Sequence, residues 1–100
     1  MNKVLLIGRL TKDPEYREAK ELSIAKYTLA VDRRGSEHAD FISCVVFGKG
    51  ADFANEYLKR GTKIAIEGRI QTGSYENKKG EKVYTTDVIV DAQEFCESKK

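Results

Sequence analysis

A mostly β chain with one short helix is what the sequence predicts, on three observations. Only one proline occurs in the 100 residues. Glycines fall between short apolar runs, the spacing of strands separated by turns rather than of strands alternating with long helices. A single segment, KGADFANEYLKRG (49–61), carries helical periodicity.

The elements follow in order, as five strands. In the first, 3–10, Val4, Leu5, Leu6 and Ile7 are consecutive, where a half-buried strand would alternate. Something must cover its second face, and a symmetric contact with another copy of the chain is the simplest cover. The second strand spans 23–31. In the third, FISCVVF (41–47), Ile42, Cys44 and Val46 point one way and Phe41, Ser43, Val45 and Phe47 the other. Giving the compact set to the interior, with Cys44 as a small buried hydrophobe, leaves two phenylalanines outside. The reverse assignment fits the same alternation, with Phe41 and Phe47 in the core and Ile42 and Val46 outside or at a subunit contact.

Helical spacing then puts Ala51, Ala54 and Leu58 on one stripe with Phe53 and Tyr57 beside it. Lys59 and Arg60 are assigned to the last turn, against the negative end of the helix dipole, and Gly61 is assigned to close it. The fourth strand spans 63–72 and the fifth 82–90. Between them, Asn77-Lys78-Lys79-Gly80 has the chemistry of a tight turn, so TGSYENKKGEKVY (72–84) reads as a hairpin. Three strands, a helix and two strands is the order of an OB-fold, a five-stranded Greek-key barrel with its helix between strands three and four. The length suits one such domain over 1–100.

Several function classes find no support. A net charge of +2 is too mild to identify a nucleic-acid partner by itself. Cys44 and Cys96 lie far apart and His38 is the one histidine, so neither a disulfide framework nor a zinc ligand set is visible, and no cofactor is expected. No cluster of His, Cys or carboxylates has spacing for acid-base catalysis, and "HAD" at 38–40 is too short to build on. The apolar run after Lys3 stops at Gly8-Arg9, far short of a signal peptide or membrane span, so a cytoplasmic, nucleoid-associated location and no membrane partner are expected.

The hairpin points to a ligand. A lysine-rich arm standing in water has little structural use for a tyrosine in each leg, so a flat, negatively charged partner is indicated. Phe41, Phe47 and Tyr75, with Tyr84 nearby in register, can line one groove bordered by Lys3, Arg9, Lys49, Arg69, Lys78, Lys79 and Lys82. Unpaired bases stack on such rings with little sequence preference, and basic side chains hold the phosphates. The bland readings stand beside this one: Tyr84 grouped by alternation with Val88 and Val90 as a structural residue, and Lys78, Lys79 and Lys82 as a solvated turn.

NKVLLIGRLTKDPE (2–15), IAKYTLAVDRR (24–34), ADFISCVVFGKGADFANEYLKRGTKIAIEGRIQTGSY (39–75) and KVYTTDVIV (82–90) occur together and in order. Over nearly its whole length the chain thereby resembles the bacterial single-stranded DNA-binding protein family, cellular or phage-borne. The resemblance implies an OB-fold and non-enzymatic, sequence-tolerant coating of single-stranded DNA in replication, recombination and repair. It also implies a homotetramer in which first strands of two protomers pair, with a dimer as the fallback. Family stacking positions match Phe41, Phe47 and Tyr75, and family basic positions match Lys3, Arg17 and Lys49. The loop DRRGSEHAD (32–40) lacks the aromatic many relatives carry, and Arg33 and Arg34 are expected to substitute in part, by phosphate contact or by lying flat on a base.

The sequence ends at EFCESKK, short of the flexible linker and acidic tip that relatives use for recruitment. It therefore reads as a tail-less or truncated form, and replication and repair proteins are expected partners only where a C-terminal tail exists in the full-length protein. Two rivals share the residues: a primosome-type or RNA-binding OB-fold module, and an adaptor whose Phe41 and Phe47 pack on a protein.

Overall fold

The computed structural model describes residues 1–96, and in it the apolar alternation does build strands. These are β1 (Val4–Leu10), β2 (Glu15–Glu18), β3 (Ser23–Asp32), β4 (Ala39–Phe47), β5 (Lys63–Glu76) and β6 (Lys82–Phe95), with helix α1 (Lys49–Tyr57) between β4 and β5. They join in the order β1-β5-β6-β4-β3-β2, and a further β1–β3 pairing at Arg9↔Ala30 and Leu10↔Leu29 rolls the sheet into a barrel. The β4–β6 contact is parallel and covers only Cys44↔Val88 and Val45↔Ile89. This is the OB-fold barrel that the element order predicts, its helix following the strand formed by residues 39–47.

Inward-pointing residues of each strand fill the interior. Leu10, Ala25, Leu29, Cys44 and Ile64 are buried there, and Ala51, Ala54 and Leu58 bring α1 and the residue that ends it onto the same core. Tyr27 is buried too, and its hydroxyl donates to Gln93 Oε1 (2.8 Å), whose Nε2 donates to Gly50 O (3.0 Å). This polar chain gives the buried Tyr27 hydroxyl its partner and ties the start of α1 to β3 and β6.

Four features depart from the sequence expectation. A sixth strand, β2, pairs with the same edge of β3 that β1 uses further along, and Tyr16 holds it by donating to Asp52 Oδ1 on α1 (2.6 Å). The helix ends at Tyr57, so Lys59 and Arg60 lie beyond its last turn; Leu58 is already extended and Gly61 N donates to Leu10 O instead of closing the helix. β5 runs on to Glu76 because its far half pairs with the start of β6 as an arm that needs no core beneath it, and β6 runs on to Phe95 because its last residues pair with Ile64 to Glu67 at the barrel. A bulge at Glu67/Gly68, where Asp91 is skipped, sets that arm's direction. The predicted turn at its tip is present: Gly80 has φ 81°, and Asn77 Oδ1 accepts from the Lys79 and Glu81 amides.

No helix among the described residues is long and apolar enough to cross a membrane. The expectation about a C-terminal tail lies outside the described residues.

The buried thiol and phenol give the fold a pH dependence. Burial pushes Cys44 up from an ordinary 9.0 to about 12, and burial also raises Tyr27. Above pH 9 the unfolded thiol loses its proton while the folded one keeps it, so stability falls as pH rises, by about 1.4 kcal/mol per unit from this group. Urea midpoints measured from pH 8 to 11 should therefore drop, and Cys44→Ala should flatten the first part of the drop. A midpoint constant across that range would contradict the burial of both groups.

Candidate nucleic-acid interface

Strand register decides which side chains share the barrel's outer surface. On β3, Ala25, Tyr27 and Leu29 face the core, so Ile24, Lys26, Thr28 and Ala30 face out. The pairs Ile24↔Phe47, Lys26↔Val45 and Ala30↔Phe41 place Phe41, Val45 and Phe47 on that same outer face. Val45↔Ile89 extends it to β6, and alternation from Ile89 through Asp87 and Thr85 to Val83 leads to Tyr75 by the pair Tyr75↔Val83. One face thus presents all three predicted rings.

All three are open to solvent: Phe41 is 68 %, Phe47 40 % and Tyr75 57 % exposed, while Cys44 and Val46 are buried and Ile42 packs at the core's edge. The assignment of Phe41 and Phe47 to the core is thereby excluded. Tyr84 is corrected differently. It is exposed, but it pairs with Ser74 and points to the arm's opposite face, where Lys82 Nζ lies 5.4 Å from its ring centre. It shares parity with Val88 and Val90, as alternation predicts, yet sits beyond the core they fill.

The basic residues divide by what already holds them. Arg17 flanks the Phe47 row through Arg17↔Ile24, and Arg9 flanks the Phe41 row through Arg9↔Ala30. Arg9 Nη1 donates to Gly61 O (2.9 Å), which fixes its direction. Arg69 pairs with Ile89 on the same face and donates to the neutral Gln71 Oε1 (3.0 Å), so its charge stays uncompensated by that bond. Lys49 opens α1 two residues after Phe47, and Lys78, Lys79 and Lys82 are exposed at the arm's tip.

Lys3 and Arg33 are engaged with carboxylates. Lys3 forms an ion pair with Glu67, and that hydrogen bond raises its pKa. Arg33 meets Asp40 Oδ1 through Nη2 (2.8 Å) and Nε (2.9 Å), a contact that holds the Asp40 carboxyl below the usual carboxylate range. A phosphate reaching either cation must compete with its partner, whereas exposed Arg34 has no such partner among the described residues.

The predicted cover for β1 resolves into two sets. Leu5 and Ile7 point outward at 71 % and 55 % exposure. Val4 and Leu6 point inward, against the core and into an open cleft of about 400 Å³ that Ile42, Ile70 and Val88 also line. Lys26 was absent from the sequence-predicted cations although it stands mid-face; the alternation of Ala25, Tyr27 and Leu29 was the signal that points it outward.

A family model described as the single-strand binding protein family matches residues 1–96. The chain is 47 % identical over 105 residues to single-stranded DNA-binding protein 1 of Staphylococcus aureus (strain COL), covering 99 % of this chain and 63 % of that one. It is 50 % identical over 101 residues to a single-stranded DNA-binding protein of Clostridium perfringens (strain 13 / Type A), covering 98 % and 67 %. The chain thus spans a little under two thirds of the Staphylococcus relative's length.

Proposed function

The chain belongs to the single-strand binding protein family, and from that membership we propose that it binds and protects exposed single-stranded DNA with little sequence preference, during replication, recombination and repair, without catalysis. The observation that carries this reading is the shared outer face of Phe41, Phe47 and Tyr75 with cations on its borders. Flat rings take unpaired bases of any identity, and a duplex keeps its bases stacked away from them. The cations hold phosphates and make the affinity fall with salt. Such a protein works in the cytoplasm, at the nucleoid. Replication and repair proteins become partners only where the full-length protein carries a C-terminal tail.

Titration with oligothymidine at two salt concentrations, followed by tyrosine emission, tests this, because no tryptophan competes for the signal. Expected are a change of emission on binding and weaker binding at the higher salt. No response, or a response unaffected by salt, would overturn the reading, and tighter binding of oligouridine would favour the RNA-binding alternative.

Self-association is part of the proposal. Among the described residues Val4 to Gly8 pair with β5 alone, since the β1–β3 pairing is confined to Arg9 and Leu10, and so one edge of β1 is unpaired by them. An unpaired edge beside exposed Leu5 and Ile7 is a template for another strand, and pairing of two β1 strands around a twofold axis satisfies both. The expected assembly is a tetramer. Leu5→Asp with Ile7→Asp should reduce the mass measured by light scattering to that of a smaller species without unfolding the barrel, since both side chains point away from the core. An unchanged mass would place the interface elsewhere.

A further inference from the structure

Phe41 and Phe47 lie six residues apart on β4, about 20 Å at the rise of a strand. One nucleobase cannot span that gap, so a strand lying on both rings must cross the middle of the face. What it meets there is one row of paired residues running from β5 to β2: Arg69, Ile89, Val45, Lys26 and Glu15. Val45 and Ile89 are only 7 % exposed despite pointing outward, so little of either is left for a ligand. The accessible part of the row is its charged residues. Arg69 and Lys26, both exposed, stand on either side of the Val45–Ile89 pair, about 14 Å apart at the spacing of adjacent strands.

We propose that Lys26 is a phosphate-contacting residue, which with Arg69 holds the backbone of the bound strand where it passes between the two phenylalanine platforms. The proposal rests on the single-stranded DNA reading above and adds a residue and a path to it. Lys26 has no ion-pair partner among the described residues, so its charge is available. It also borders a surface cleft of about 230 Å³ with Ile24, Arg17 and Glu15, beside the Phe47 row. Arg17 and Lys26 bring two cations to that cleft and Glu15 one carboxylate, directly opposite Lys26 in the β2–β3 register. Glu15 therefore opposes the phosphates that Lys26 attracts.

The test is a salt series of oligothymidine titrations on the parent, Lys26→Ala, Lys26→Arg, Glu15→Gln and Phe47→Ala. Each phosphate contact contributes about 0.7 to 1 to the slope of log affinity against log salt. Lys26→Ala should flatten the slope by that amount, Lys26→Arg should keep it, and Glu15→Gln should bind more tightly at low salt. Phe47→Ala should weaken binding with the slope unchanged. A Lys26→Ala slope equal to the parent's, with Phe47→Ala weakened, overturns this inference alone. A parent that gives no response overturns the underlying reading with it.

Discussion

Gly68→Ala is expected to destabilise the protein by at least about 3 kcal/mol, at the upper end of what added methyl groups do in packed sites. A Cβ at Gly68 would stand 2.2 Å from Ile89 O and 3.0 Å from its carbonyl carbon. Backbone cannot rotate aside as a side chain does, so β5 or β6 must shift and the bulge at Glu67/Gly68 must re-form. For a small barrel whose total stability is on the order of 5 to 15 kcal/mol, that is a large fraction. Gly73→Ala is the matched control, since its nearest neighbour is the rotatable Thr85 Oγ1 at 3.1 Å. Chemical denaturation should show Gly73→Ala near the parent and Gly68→Ala far below it. If Gly68→Ala unfolds within about 1 kcal/mol of the parent, the close approach of β5 to β6 is not a constraint on the fold. A folded remnant should also bind single strands less well, because the bulge aims the arm that carries Tyr75.

The strands that bury one face were legible from alternation alone, since burying alternate residues is what makes them strands. The orientation of β4 was not, because both of its faces are apolar. The structure resolves it: Cys44 and Val46 are buried with Leu10, Tyr27, Leu29 and Ile64, while Phe41 and Phe47 stand exposed. β2 escaped notice because Glu-Tyr-Arg-Glu has one apolar residue; it is held by the open edge of β3 and by the Tyr16–Asp52 bond, both tertiary facts. Lys59 and Arg60 fit a helix C-terminus by charge, but Leu58 is drawn into the core in an extended conformation and stops the helix before them.

In the candidate site, ring positions were readable and the ion pairing of the cations was not. Lysine and arginine look alike in sequence whether they have no carboxylate partner among the described residues, as Arg34, or are paired with one, as Arg33 is with Asp40. Tyr84 was misplaced for a related reason. An arm without a core gives both of its faces to solvent, so exposure there does not tell which face a ligand uses.

Replacing Tyr75 or Phe47 by alanine is expected to weaken oligothymidine binding by about 1 to 3 kcal/mol each, roughly 5- to 150-fold, which is what one stacked base contributes. Neither ring belongs to the core cluster, so the variants should fold as the parent does. Phe41→Ala should behave likewise, and because Phe41 and Phe47 are about 20 Å apart along β4, their combined effect should be close to the sum. Tyr75→Phe keeps the ring and should keep the affinity, which separates stacking from any hydrogen bond made by the hydroxyl. Tyr84→Ala, on the arm's other face, should change binding far less than Tyr75→Ala. The salt slope should stay at the parent's value in every ring variant, since no cation is removed. Parent-like affinity in both Tyr75→Ala and Phe47→Ala would mean that the exposed rings serve another purpose. A loss confined to Tyr75→Ala would instead place the bound strand on the arm alone, leaving Phe41 and Phe47 to a contact between protein surfaces.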